Sequence, residues 1–149
     1  MQIKFLDLPP VPEELIEPID VIINKPFRTT SAGLDNRAKG VFQRRDVSPE
    51  LHNYLQTLFD FKIKANYQIL YLGTRLHKDI GRDIAYNYLI DLGGDNIVTS
   101  VFDGWQDDKK LLQSEILPLK KWHSLNVSNY HQVDGLIEGV PRVAISVNP

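Results

Sequence analysis

The chain has no cysteine among its 149 residues. Disulfides and thiolate metal sites are therefore excluded, and any transition metal must be held by nitrogen and oxygen donors. Neither sign of charge is in large excess: 17 Lys and Arg against 19 Asp and Glu leave a formal net charge of -2. Nucleic acid and an anionic membrane surface are thus not the expected partners. No apolar run approaches the length of a membrane-spanning helix. The opening stretch MQIKFLDLPPVPEELIEPID carries acids and prolines where a signal peptide needs an apolar core. A cytoplasmic protein is the expectation. Also missing are a Gly-x-Ser-x-Gly elbow, a P-loop and a dinucleotide-binding glycine fingerprint, which removes the usual sequence signals of those hydrolases and nucleotide-binding enzymes.

What is present is a chain sized for one domain with its own core, here taken as residues 1–149. Its first part is punctuated by Pro9, Pro10, Pro12, Pro18 and Pro26 around a short apolar run, Val21-Ile22-Ile23. Such proline density prevents long helices and suits extended edge segments. Residues 28–47 are polar and glycine-containing, the composition of a long loop or lid. Ser48-Pro49-Glu50 is a helix start, with a capping hydroxyl followed by proline at the first helical position. Leu51, Tyr54, Leu55, Leu58 and Phe59 recur at helical spacing, which predicts one helix at about 49–60. Residues 1–62 thus form an N-terminal extension and flanking helix.

From residue 63 onward the pattern changes to strands. Ile69 to Leu72, Ile84 to Ile90, Ile97 to Phe102, Glu115 to Leu117, Trp122 to Val127, His131 to Val133 and Val143 to Val147 are short runs, rich in β-branched and aromatic residues and separated by turn clusters. That spacing indicates a mainly β core, a sandwich or barrel.

Within this strand-rich part, His77 and Asp79 are two residues apart, His131 follows Asp79 by 52 residues, and Arg142 follows His131 by 11. On a strand, an i, i+2 pair points to one face with about 7 Å between the residues along the chain, so both side chains can converge on one ion. Two imidazoles and one carboxylate can fill one face of an octahedral Fe(II) and leave the other positions open. An arginine in the same constellation could hold a dicarboxylate. His123 competes with His131 as the third ligand. With its neighbour Trp122 it looks more like a packing pair or a pocket wall, so His131 is preferred and His123 is left as a residue behind the ligands or on the substrate side. His52 falls in the expected helix and is read as solvent-facing or packed. Arg82 either faces the site or pairs with Asp83 or Asp91. Trp105 sits in a turn and reads as core or rim packing, and Asp107-Asp108-Lys109-Lys110 as an exposed hairpin tip.

These residues resemble the Fe(II)/2-oxoglutarate-dependent dioxygenases: His-x-Asp, a distant His, then an Arg on the last core strand. The likeness covers about residues 65–149. LHKDIGRDIAYNYLIDLGG and LNVSNYHQVDGLIEGVPRVAISV look like the corresponding stretches of the prolyl-hydroxylase and aspartyl/asparaginyl-hydroxylase branches. The resemblance implies a double-stranded β-helix (jelly roll) core over residues 63–149. It implies Fe(II) on His77, Asp79 and His131, with 2-oxoglutarate as cosubstrate and its distal carboxylate on Arg142. Asn87, or a tyrosine among Tyr67, Tyr71 and Tyr86, would add a hydrogen bond to the cosubstrate. The Arg-x-Ser pattern of some branches is not met, since Ala144 stands at the serine position and Ser146 two further on. The activity implied is hydroxylation of a small molecule or protein side chain, with formation of succinate and carbon dioxide. The rival readings are a non-catalytic β-sandwich and a cupin-like metal-binding protein. Cupins usually build their site from more histidines plus a glutamate.

Overall fold

Burial along the last strand shows how the sheet is used. In Arg142–Asn148, Val143, Ile145 and Val147 belong to one apolar cluster, while Ala144 belongs to another. Side chains alternate across a strand, so this segment separates two buried faces, and its unbroken burial follows. The computed structural model describes residues 1–26, 42–72, 77–79, 81–104 and 106–149. The described strands are β1 (Ile3–Phe5), β2 (Phe42–Asp46), β3 (Lys64–Leu70), β4 (Ile84–Asp91), β5 (Val98–Asp103), β6 (Lys110–Glu115), β7 (Trp122–Asn126), β8 (Tyr130–Asp134) and β9 (Arg142–Asn148). They form a six-stranded sheet in the order β1-β7-β4-β9-β3-β2 and a three-stranded sheet in the order β6-β5-β8. Every pairing is antiparallel. Two antiparallel sheets facing each other, with few helices, are the mainly β jelly-roll architecture expected.

The larger sheet is covered on both sides. Its inner face meets the smaller sheet through Ile3, Ala85, Leu89, Leu125 and Ala144 packed with Val101 of β5. Its outer face, with Tyr67, Ile69, Tyr88, Trp122, Val143, Ile145 and Val147, is covered by Val11, Ile22, Leu51 and Leu55. These last come from the N-terminal segment and two helices, α1 (Ile19–Asn24) and α2 (Pro49–Gln56). One flanking helix was expected; α1 is a second, a single six-residue segment between prolines built on the Val21-Ile22-Ile23 run. Two tyrosine hydroxyls pin the proline-rich segment down: Tyr88 Oη accepts from Val11 N at 3.2 Å and Tyr67 Oη from Glu17 N at 3.3 Å.

α2 starts as its sequence demands. Ser48 Oγ accepts from Leu51 N at 3.1 Å, and Pro49 occupies the first turn. It stops at Gln56 rather than near residue 60. The Gln56 side chain bonds Phe61 O and Ile63 N, which fixes the turn, and Phe59 packs on Phe61, Tyr86 and Trp122.

One expectation is corrected. Within the stretch 28–47 read as a loop, Phe42–Asp46 is edge strand β2, paired with β3. An edge strand needs no apolar face of its own, and charged residues such as Arg44 and Arg45 are compatible with it. The remainder of that stretch, with Arg28, Arg37 and Lys39, lies outside the described residues, as does Trp105. At the opposite edge, Gln113 of β6 closes the gap between the sheets. Its amide accepts from Gln2 N and Ile3 N and donates to Ile3 O.

Candidate metal centre

β8 supplies the first candidate ligand. His131 is paired in register with Val101 of β5, which lies in the inner cluster, and is itself 6% exposed. His77 extends the smaller sheet by an isolated antiparallel bridge to His131. The two backbones exchange hydrogen bonds of 3.1 and 2.7 Å, and the rings stand 4.3 Å apart. Two residues on, Asp79 N donates to Val127 O at 2.8 Å, which holds the acid in line with the bridge. The i, i+2 spacing therefore brings His77 and Asp79 to one place, as an extended segment should.

The resulting geometry suits one cation. One ligand atom from each of His77, Asp79 and His131 falls within a group no wider than 4.8 Å. Asp79 Oδ1 lies 3.7 Å from His77 Nε2 and 3.5 Å from His131 Nε2. Ligands at about 2.1 Å from a metal stand roughly 3 Å apart when adjacent in an octahedron, so a small inward movement completes a facial set.

The protonation pattern points the same way. His131 Nδ1 is 2.9 Å from the Asn129 carbonyl, and only an N–H there satisfies an acceptor. Burial pushes His131 below the ordinary histidine range, although the Asn129 contact acts in the opposite direction. A neutral imidazole with its proton on Nδ1 turns the Nε2 lone pair toward the Asp79 carboxylate. Two acceptors facing each other repel unless a cation lies between them.

The second oxygen of Asp79 is already engaged. Arg82 Nε donates to Oδ2 at 2.6 Å, and Nη2 lies 2.5 Å from the same atom. Arg82 Nη1 donates to Asn148 Oδ1, at the end of β9. Of the partners considered for Arg82, neither Asp83 nor Asp91 is the one found. The i, i+3 spacing to Asp79 was the signal available in the sequence.

A polar belt crosses the inner face of the larger sheet. Asn87 pairs in register with His123 on one side and Ser146 on the other, and Ser146 pairs with Asn66. By alternation all four side chains point between the sheets: Tyr86 and Tyr88, Trp122, and Ala65 and Tyr67 pack outward. Asn87 Oδ1, Ser146 Oγ and Asn66 Oδ1 are buried without a hydrogen-bond partner among the described residues, while the His123 imidazole has the Lys121 backbone beside it. Buried polar atoms are nearly always satisfied, so three in one row mark a place for solvent or a ligand.

Arg142 faces the same interior, four residues from Ser146 along β9, roughly 13 Å at strand rise. It is 3% exposed, forms no ion pair among the described residues, and its Nε has no partner. Burial lowers its pKa to about 10, which leaves it charged at neutral pH. Burial, followed by the charge of Arg142, lowers His123 to about 4, so this imidazole is neutral. Gly93 fixes the start of β9 from outside: its φ is +73°, and an added Cβ would stand 2.8 Å from Arg142 N. Asp91 Oδ1 holds that turn by accepting from Gly93 N at 2.9 Å.

The structure therefore brings His77, Asp79 and His131 together and turns Asn87 and Arg142 into the same interior. It places Tyr71 elsewhere. Tyr67, Tyr71 and Tyr86 all pack with the outer cluster, on the face opposite the belt. His123 belongs to the belt and lies outside the metal group. His52 is half-buried on α2.

No protein-family model matches this sequence, and no curated protein matches it. Among solved structures, the chain is similar to Fe(II) HppE in complex with substrate, at 7% identity and a TM-score of 0.45 over 86% of this chain. It is also similar to an oxidoreductase of the 2OG-Fe(II) oxygenase family from Burkholderia pseudomallei, at 9% identity and a TM-score of 0.46, again over 86% of this chain. The aligned regions span 58% of the first of those proteins and 74% of the second. Function is accordingly read from the chemistry of the site.

Proposed function

We propose that this protein is an Fe(II)- and 2-oxoglutarate-dependent oxygenase that hydroxylates a small molecule or a protein side chain. The observation that carries the reading is Asp79 Oδ1, held 3.7 and 3.5 Å from two imidazole Nε2 atoms. Two nitrogens and one carboxylate oxygen on one face are the donor set of a mononuclear iron site with open positions. Bound Fe(II) would supply dioxygen activation coupled to oxidative decarboxylation of 2-oxoglutarate to succinate and carbon dioxide.

The chain's own residues would do the rest. His77, Asp79 and His131 hold the metal, and the Asn129 carbonyl keeps the His131 proton on Nδ1. Arg142 takes the distal carboxylate of the cosubstrate, a role for which a buried guanidinium with no carboxylate partner among the described residues is suited. Between Arg142 and the polar belt, Ala144 and Leu89 are buried in the inner apolar cluster. The interior is thus charged at one level, apolar at the next and polar at the belt, which suits a short diacid with a methylene middle. Asn87, His123 and Ser146 would satisfy the polar end nearer the metal, and the buried walls would exclude water.

The further parts of the reading belong with it: a single domain with its core over 63–149, a prolyl- or asparaginyl-hydroxylase-like branch, a cytoplasmic location, and no nucleic acid or membrane as partner. No helix among the described residues is long and apolar enough to cross a membrane.

Anaerobic titration with Fe(II) and then 2-oxoglutarate tests the proposal by the appearance of a weak visible charge-transfer band. A succinate assay in air follows. Asp79→Ala and His131→Ala are each expected to abolish the band. A wild type that binds neither iron nor 2-oxoglutarate refutes the reading; one that binds iron but not 2-oxoglutarate points to a cupin-like site.

A further inference from the structure

Arg82 makes three contacts that have no role in the scheme above. Its Nε and Nη2 both converge on Asp79 Oδ2, at 2.6 and 2.5 Å, while Nη1 reaches Asn148 Oδ1. It follows Gly81, whose φ of +84° lets the chain turn back after Asp79. Both partners are substantially covered, with side chains 21% and 17% exposed.

A carboxylate can bind a metal through one oxygen or chelate it through both. The Nε–H donor and the close Nη2 together engage Oδ2, the oxygen that chelation would need. Oδ1 remains, and it is the oxygen facing His77 and His131. A one-point carboxylate leaves three octahedral positions open, whereas a chelating one leaves two. Arg82 is also tied to the end of β9, the strand that carries Arg142, so one guanidinium links the metal's acid to the strand holding the distant cation.

We propose that Arg82, anchored by Asn148, is a positioning residue that confines Asp79 to a single-oxygen ligand and fixes its orientation in the metal site. This rests on the metal reading above, and its test is chosen to separate the two. A planar fork does what a point charge cannot, so lysine should replace the charge of Arg82 but not its geometry.

The experiment is calorimetric titration of the full chain with Co(II), together with the visible d–d spectrum of the Co(II) form, for wild type, Arg82→Gln, Arg82→Lys and Asn148→Ala. Loss of an outer partner of a metal ligand typically weakens metal binding about 10- to 100-fold. Arg82→Gln should show that loss and a changed d–d band, as the freed carboxylate alters the coordination number. Arg82→Lys should recover part of the affinity without recovering the band. Asn148→Ala should give a smaller loss of the same kind, and it stands as the test if Arg82→Gln does not fold. Wild-type affinity and an unchanged spectrum in the folded variants overturn this role for Arg82 while leaving the metal site intact. A wild type that takes up no Co(II) overturns the metal site, and this role with it.

Discussion

Replacing Arg142 by methionine should stabilise the ligand-free protein and abolish its response to 2-oxoglutarate. The guanidinium is 3% exposed with no ion pair among the described residues, and burial lowers its pKa from the ordinary arginine range to about 10. At 1.36 kcal/mol per tenfold, that depression corresponds to roughly 3 kcal/mol held against the charged form. The sign follows from linkage. A base whose folded pKa is depressed destabilises the fold at every pH below that value, and the penalty is relieved only as pH rises above about 10 toward the ordinary arginine value. At pH 7 the whole penalty is present. Methionine of similar length removes it and keeps much of the packing, as uncharged replacements of buried charges often do. The upper bound of roughly 3 kcal/mol becomes an increase of up to about 10 °C in Tm, at 3–4 °C per kcal/mol for a chain of this size. Differential scanning fluorimetry with and without 2-oxoglutarate, at saturating Mn(II), reads both effects. Wild type should rise on adding 2-oxoglutarate, and Arg142→Met should start higher and not move. A variant that melts lower than wild type, or that still responds to 2-oxoglutarate, would refute the view of Arg142 as a cation buried for a ligand.

Two further outcomes concern the surroundings of Arg142. His123 is 2% exposed and titrates at about 4, against 6.5 in a model peptide. Between those values the unfolded chain takes up a proton that the folded chain refuses, so stability falls as pH drops from 6.5 to 4, by roughly 3 kcal/mol in total. Urea melts of His123→Asn across that range should show a shallower acid dependence by about this amount, and an unchanged slope would mean that His123 is not buried neutral. Gly93→Ala should cost on the order of 1–3 kcal/mol, since it combines a positive φ with a Cβ 2.8 Å from Arg142 N. Because the strain falls on Arg142, proposed to take the carboxylate, the dissociation constant for 2-oxoglutarate should rise while Co(II) affinity stays at the wild-type value.

How much of this was legible beforehand depends on the residue. The run Val143 to Val147 announced a strand, and Ser48-Pro49 announced a helix start, because both signals are local. The strand character of Phe42–Asp46 was not legible, because its polar residues take their extended form from pairing with β3. Arg82 had three acids within reach in sequence, and the turn at Gly81 chose Asp79.

The sequence by itself determined which side chains travel together. A two-residue period commits His77 to the face of Asp79 and Arg142 to that of Ala144 and Ser146. It also commits Tyr86 and Asn87 to opposite faces. Only the tertiary structure decided which face lies between the two sheets. The larger sheet is buried on both sides, by α1, α2 and the N-terminal segment on one and by the smaller sheet on the other. Alternation alone therefore cannot say whether Tyr71 or Asn87 points between the sheets. The pairing of β4 with β7 and β9 settles it by aligning Asn87 with His123 and Ser146 on the inner face. The backbone bridge between His77 and His131 likewise comes from sheet pairing, which joins residues that no short stretch of sequence contains.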